Sequence, residues 1–207
     1  FRRSRGLGDV YKRQLNTEEI EFVNKELDKK EFTVSSVGFT DGDTSEPRVD
    51  SNIRSSSGCF LLDDEKAAQI MHKGMNKALL EYHKRMVDKH PIFDGYPIPG
   101  GFRTTSNREL IQVLEYVKNQ KYAWHTDASP LPESKEYHRK ISIILYLSDG
   151  FEGGSTEFIG HTHKPPVGHA LIFPSNWCFP HTGAEVTSGK KRVAVTWYYV
   201  NDINWML

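Results

Sequence analysis

The sequence predicts an α+β chain in which helical N-terminal segments support a β-rich C-terminal half. Three observations carry this. A long amphipathic pattern runs through "DDEKAAQIMHKGMNKALLEYHKRMVDKH". A turn-rich stretch, "PIFDGYPIPGG", then changes the texture of the chain. After it come short β-like runs, each bounded by Gly, Pro, Asp or Ser, and such spacing argues for a sandwich or barrel of antiparallel strands.

Taken in order, "FRRSRGLGDVYKRQ" is basic and shows no apolar periodicity. It could be a basic arm for an acidic partner. "DVYKRQ" also resembles the in-frame translation of a transposon-end adaptor used in preparing sequencing libraries. Residues 1–14 are therefore expected to be a non-native, adaptor-derived segment that stands outside fold reasoning. "LNTEEIEFVNKELDKK" offers an Asn16-x-x-Glu19 capping pattern followed by Ile20, Val23 and Leu27, a short helix. The polar stretch from Glu31 to Ser51 reads as strand plus loop, and "NIRSSSGCFLL" as extended chain. In the long helix Asp63 or Asp64 can cap the start. Ala67, Met71, Met75, Leu79, Tyr82 and Met86 line one face, and Pro91 stops it. That Met stripe reads as core, and His72, His83 and His90 as solvated. "LIQVLEYV", "KYAWHTD", "KISIILYLSD", "STEFIG", "HALIFP" and "KRVAVTWYYV" are the expected strands. No internal repeat or low-complexity tract is present.

Lys+Arg and Asp+Glu both number 27, so the formal net charge is zero. No global field points to nucleic acid or an anionic membrane, and no apolar run approaches the ~20 residues of a membrane span. Two distant cysteines, Cys59 and Cys178, make no disulfide framework. A reduced compartment, the cytoplasm, is the expectation. Nothing in the sequence indicates an oligomeric state.

His125 and Asp127 flank one residue in "KYAWHTDASP". About one His-x-acid pair is expected from composition alone, so the pair needs company. His181, in "NWCFPHTGAEVTSGKKR", supplies a second imidazole. Two His and one carboxylate on one octahedral face, with the remaining positions open, suit a non-haem Fe(II) oxygenase. The strand period of two points His125 and Asp127 the same way. An anionic cosubstrate that chelates iron at one end needs a cation at the other. Lys191 stands on a strand whose alternation groups it with Val193, Val195 and Trp197, with Arg192 facing away. His161-x-His163 also has chelating spacing, but it sits in a Gly/Pro loop without a carboxylate partner, and His169 in "GHALIF" could be mistaken for the distal ligand.

On these residues the chain, from about Leu15 to Val200, resembles the Fe(II)/2-oxoglutarate dioxygenase superfamily, in particular its prolyl 4-hydroxylase-like branch. "YAWHTD" is similar to the family's Y-x-x-H-x-D. "ILYLSDGFEGGSTEF" resembles its strand–turn–strand, "GHALIFPSN" with His181 its distal-ligand segment, and "VTSGKK" with Trp197 its cosubstrate strand. "IRSSSGCFL" resembles an Arg/Ser-rich strand ahead of the barrel. The resemblance implies a double-stranded β-helix (jelly-roll) core at about 92–200 and helical support over 15–91, within a single dioxygenase domain spanning 15–207. It implies that His125, Asp127 and His181 bind Fe(II) and that Lys191 pairs with the distal carboxylate of 2-oxoglutarate. Tyr116 would hydrogen-bond that carboxylate, Tyr122 would line the iron pocket and Trp197 its wall. Arg192 would replace Lys191 if the strand slipped by one residue.

The implied reaction uses Fe(II), 2-oxoglutarate and O2, with ascorbate as an accessory reductant. It releases succinate and carbon dioxide and hydroxylates an unactivated C–H. Asp127, where a small residue would admit halide, argues for hydroxylation over halogenation. The implied substrate is a peptidyl proline. The alternatives are a free amino acid or other small molecule under the same chemistry, a non-catalytic jelly-roll binding module, and a cupin-like metal enzyme without 2-oxoglutarate. "ASPLPESKEYHRK" and "DGYPIPGGFRTTSN" are the expected lids.

Overall fold

In the computed structural model, residues 9–11, 13–41, 44–95 and 106–200 are described. The lid expected at "DGYPIPGGFRTTSN" lies mostly outside them. In chain order the elements are β1 (Asp9–Tyr11), α1 (Thr17–Leu27), β2 (Thr33–Val34), β3 (Val37–Asp41), β4 (Thr44–Arg48), β5 (Ser57–Leu61), α2 (Lys66–Lys89), β6 (Ser106–Arg108), β7 (Ile111–Val117), β8 (Tyr122–His125), β9 (Ile141–Tyr146), β10 (Glu152–Gly153), β11 (Thr156–Phe158), β12 (His161–His163), β13 (Ala170–Pro174), β14 (His181–Gly183), β15 (Val186–Ser188) and β16 (Lys190–Val200).

The α1 start is set by the expected capping box. Glu19 N donates to Asn16 Oδ1 and Asn16 N to Glu19 Oε2, each at 2.9 Å. At α2 the expected cap is corrected. Glu65 occupies the N-cap without a side-chain cap bond, and its carboxylate accepts from Leu62 N at 2.8 Å instead. Asp63 is drawn off to pair with Arg108. Ala67, Met71, Met75, Leu79 and Tyr82 form the buried face, as the spacing predicts. Truncating a fully buried Met such as Met71 to Ala costs about 2–5 kcal/mol.

Two antiparallel sheets face each other as a jelly roll. The large one runs β1-β13-β9-β16-β7-β5-β2, with β6 on the end of β16. The small one runs β12-β11-β14-β8. Strand alternation gives the large sheet two apolar faces. Ile111, Val113, Ile143, Leu145, Ile172 and Ala194 pack under α1 and α2, while Leu114, Tyr116, Tyr146, Phe173, Val193 and Val195 point between the sheets. The N-terminal segment thus supplies sheet as well as helices, since β5 pairs with β7 and β2 with β5. Within the stretch set apart at the chain's start, β1 pairs with β13.

Two histidine expectations change. His161–His163 form an edge strand of the small sheet rather than a loop. His72 and His83 are half-buried, so only His90 is solvated. Burial and the Arg108 guanidinium beside it push the His72 ring below its ordinary value. At the β10–β15 ribbon the register shifts between Glu152 and Gly153. Gly153 has φ +67°, and a Cβ there would meet the Glu185 carbonyl oxygen at 2.2 Å, which explains the "EGG" turn.

β16 pairs Lys191 with Tyr116 and Arg192 with Glu115, and the two cations face opposite sides. Arg192 is 5% exposed. It donates to Glu115 Oε1 at 2.6 Å, Asn24 Oδ1 at 2.8 Å and Asp28 Oδ1 at 2.7 Å, so it ties α1 to the sheet. Arg192→Ala leaves Glu115 without its buried partner. It is expected to lower unfolding stability in urea by about 3 kcal/mol, with cosubstrate affinity unchanged.

Candidate active site

β8 and β14 are neighbours in the small sheet, and their register sets His125 opposite His181. Asp127 follows β8 by two residues. His125 Nε2 lies 3.5 Å from Asp127 Oδ1 and His181 Nε2 3.7 Å from Asp127 Oδ2. The three ligand-bearing atoms all fall within 4.8 Å of one another, the one such His/Cys/Asp/Glu group among the described residues.

The ring orientations suit a metal. His125 Nδ1 lies 2.8 Å from the Ala123 carbonyl and His181 Nδ1 3.1 Å from the Phe179 carbonyl. A carbonyl oxygen only accepts, so each Nδ1 carries a proton and each ring turns its Nε2 to the common centre. Burial pushes the His181 ring below its ordinary value. Burial alone would raise the Asp127 carboxyl, but the His181 ring, His125 and the Ser142 hydroxyl outweigh it and hold it well below the usual carboxylate range. The donor set is therefore two imidazoles and a carboxylate, without a thiolate. It fits a divalent iron with open positions and not a closed structural zinc site.

The seven residues that the resemblance assigns to the site line one cavity of about 790 Å³: His125, Asp127, His181, Lys191, Tyr116, Tyr122 and Trp197. That volume suits a small molecule together with part of a larger one. Tyr122 stacks on His125 with ring centres 3.6 Å apart. Burial pushes its hydroxyl up to about 12, against the lowering pull of Arg54. Lys191 is 4% exposed and donates to the Gly154 carbonyl at 2.7 Å. Its ammonium lies 5.4 Å from the Tyr116 ring centre and 5.5 Å from that of Tyr146. Burial, with Lys164 adding to it, brings its pKa down to about 8. Trp197 lies under the Arg139 guanidinium at 3.8 Å.

Several cavity residues escaped the sequence reading. Arg54 sits in "IRSSSGCFL", where the resemblance assigns it no role. It lies 4.8 Å from the Tyr122 ring and donates to Ser56 Oγ at 3.0 Å. Arg139, in the expected lid, holds Glu109 with two bonds of 2.6 and 2.8 Å and donates to the Asp127 carbonyl at 3.1 Å. Ser142 is the one polar residue inside the apolar run of β9, and that anomaly was the available signal. His161, His163 and His169 stand apart from the cluster.

The 2OG-Fe(II) oxygenase superfamily model matches residues 111–200. Prolyl 4-hydroxylase 1 of Arabidopsis thaliana is 30% identical over 173 residues, 72% of this chain and 54% of its own length. The chain spans about half the length of the curated relatives it matches. Among solved structures, the viral collagen prolyl hydroxylase of Paramecium Bursaria Chlorella virus-1 superposes with a TM-score of 0.63 at 19% identity, covering 93% of this chain and 95% of that one. A Pseudomonas putida prolyl-4-hydroxylase gives 0.63 at 15% identity, covering 93% and 91%. At those identities the structures speak for the jelly-roll fold alone.

Proposed function

We propose that this chain, whose residues 111–200 match the 2OG-Fe(II) oxygenase superfamily model, is an Fe(II)- and 2-oxoglutarate-dependent dioxygenase that hydroxylates a peptidyl proline. Residues 15–207 would form one dioxygenase domain. The observation that carries this reading is the shared cavity, with a two-His, one-carboxylate cluster and a buried lysine opening onto it.

His125, Asp127 and His181 would hold Fe(II). Bound iron supplies activation of O2 coupled to oxidative decarboxylation of 2-oxoglutarate, so that a substrate C–H becomes C–OH as succinate and carbon dioxide leave. The chain's own residues bind, orient and exclude water. Lys191 would pair with the cosubstrate's distal carboxylate, an interaction strengthened by its dry surroundings, and Tyr116 would add a hydroxyl donor to that carboxylate. Tyr122 fixes the plane of the His125 ring by stacking on it. Trp197 and Arg139 wall the side nearest the 128–139 loop.

Proline as substrate draws its support from the relatives' names, those of prolyl 4-hydroxylases. Iron-loaded protein is expected to form succinate from 2-oxoglutarate and to add 16 mass units to proline-containing peptides. Succinate formation with unmodified peptides but oxidised free amino acids would shift the assignment to a small-molecule substrate. No succinate from iron-loaded protein would return the jelly roll to a binding role.

A further inference from the structure

Beyond the three metal-binding side chains, we infer that Ser142, backed by Ser175, is a positioning residue for the Asp127 carboxylate and sets the strength of metal binding. Ser142 Oγ donates to Asp127 Oδ2 at 2.6 Å, and the Ser142 and Ser175 hydroxyls lie 2.8 Å apart. The direction of this chain follows from its end. An ionised carboxylate only accepts, so the Ser142 proton is committed to Asp127, and Ser175 must donate to Ser142. The relay runs Ser175 to Ser142 to Asp127, each donor polarising the next.

Its anchoring is built into the backbone. Ser175 N donates to the Lys140 carbonyl at 3.0 Å, and the Ser175 carbonyl accepts from Ala128 N at 2.9 Å. Ser175 therefore straps the residue after Asp127 to the chain leading into β9, where Ser142 sits. Each of the two serines is 1% exposed. Water does not take their place readily, and a hydroxyl deleted there costs its neighbour a hydrogen bond. The Asp127 side chain follows β8 and lies beyond its ladder, so this relay substitutes for the strand pairing that holds His125 and His181.

The inference rests on the metal reading above. Its test is titration of the purified protein with Co(II), a divalent surrogate that does not turn over, read by visible absorption and calorimetry. Outer-shell partners of a ligand typically govern about 10–100-fold in affinity. Ser142→Ala is expected to weaken Co(II) binding by that factor and to alter the Co(II) absorption envelope. Ser142→Thr, which keeps the hydroxyl, is expected to stay within about threefold of wild type, and Ser175→Ala to fall between. Circular dichroism at the titration temperature establishes that each variant is folded. If Ser142→Ala does not fold, the comparison of Ser142→Thr and Ser175→Ala with wild type still decides. Affinity for Ser142→Ala within twofold of wild type overturns the inference, as does Ser142→Thr as weak as Ser142→Ala, or Ser175→Ala indistinguishable from wild type. Wild type that binds no Co(II) would instead overturn the metal reading beneath it.

Discussion

Protein carrying His181→Ala is expected to lose metal-dependent turnover. On anaerobic mixing with Fe(II) and 2-oxoglutarate it shows no iron–keto-acid charge-transfer absorbance, and its succinate formation falls by at least about a thousandfold. Losing an outer-shell partner alone costs about 10–100-fold, and His181 offers one of three ligand atoms gathered within 4.8 Å. The remaining pair, His125 and Asp127, is the His-x-Asp combination that composition produces by chance. Asp127→Ala is expected to do the same for a second reason. It removes the acceptor of the buried Ser142 hydroxyl. His181 is 4% exposed in an aromatic setting, with Phe173 at 4.7 Å and Phe158 at 5.5 Å between ring centres. Truncation there costs packing too, so circular dichroism accompanies the assay. If folded His181→Ala matches wild type in absorbance and succinate yield, the ligand set is wrong.

The reach of sequence reasoning follows the range of the interaction. Alternation on β16 separated Lys191 from Arg192, because a one-residue slip would exchange the two faces along the whole strand. The α1 cap was legible because both partners lie within four residues. The α2 cap was not. Asp63 and Asp64 were the better local choices, yet Arg108, far along the chain, takes Asp63 and leaves the N-cap to Glu65. His72 likewise looked solvated on its own helix and is half-buried because the same Arg108 packs against it. At the site, side chains that could touch a metal or a cosubstrate had recognisable spacing. Those that hold the first set in place, Ser142, Ser175 and Arg139, announce themselves only through pairing between β9, β13 and the 128–139 loop. The sequence carried one hint, a serine at an inward position of a strand that is otherwise apolar.

The buried ammonium of Lys191 leads to the second large effect. Lys191→Ala is expected to raise the dissociation constant for 2-oxoglutarate by about 30- to 5,000-fold, since deleting one partner of a desolvated charge pair costs about 2–5 kcal/mol. Iron binding should change little, because Lys191 bonds to the Gly154 carbonyl and not to the metal cluster. The same lysine sets a pH dependence. Its pKa stands at about 8 rather than 10.5, through burial and then Lys164. A bound carboxylate favours the ammonium and raises that value. Below about pH 7 the lysine is charged with or without cosubstrate, and affinity is flat. Above about pH 8 the free protein must take up a proton on binding, so affinity falls by about tenfold per pH unit until the pKa of the complex is reached. Calorimetry in buffers of different ionisation enthalpy would register that proton uptake. Lys191→Arg is expected to flatten the profile, because guanidinium stays protonated throughout. Arg192→Ala should leave both affinity and profile unchanged. Its guanidinium is spent on Glu115, Asn24 and Asp28 on the helix-facing side of the sheet. A larger loss of 2-oxoglutarate affinity in Arg192→Ala than in Lys191→Ala would mean that the cosubstrate carboxylate is held from the other face of β16. That would contradict the pairing of Lys191 with Tyr116 on which the site is built.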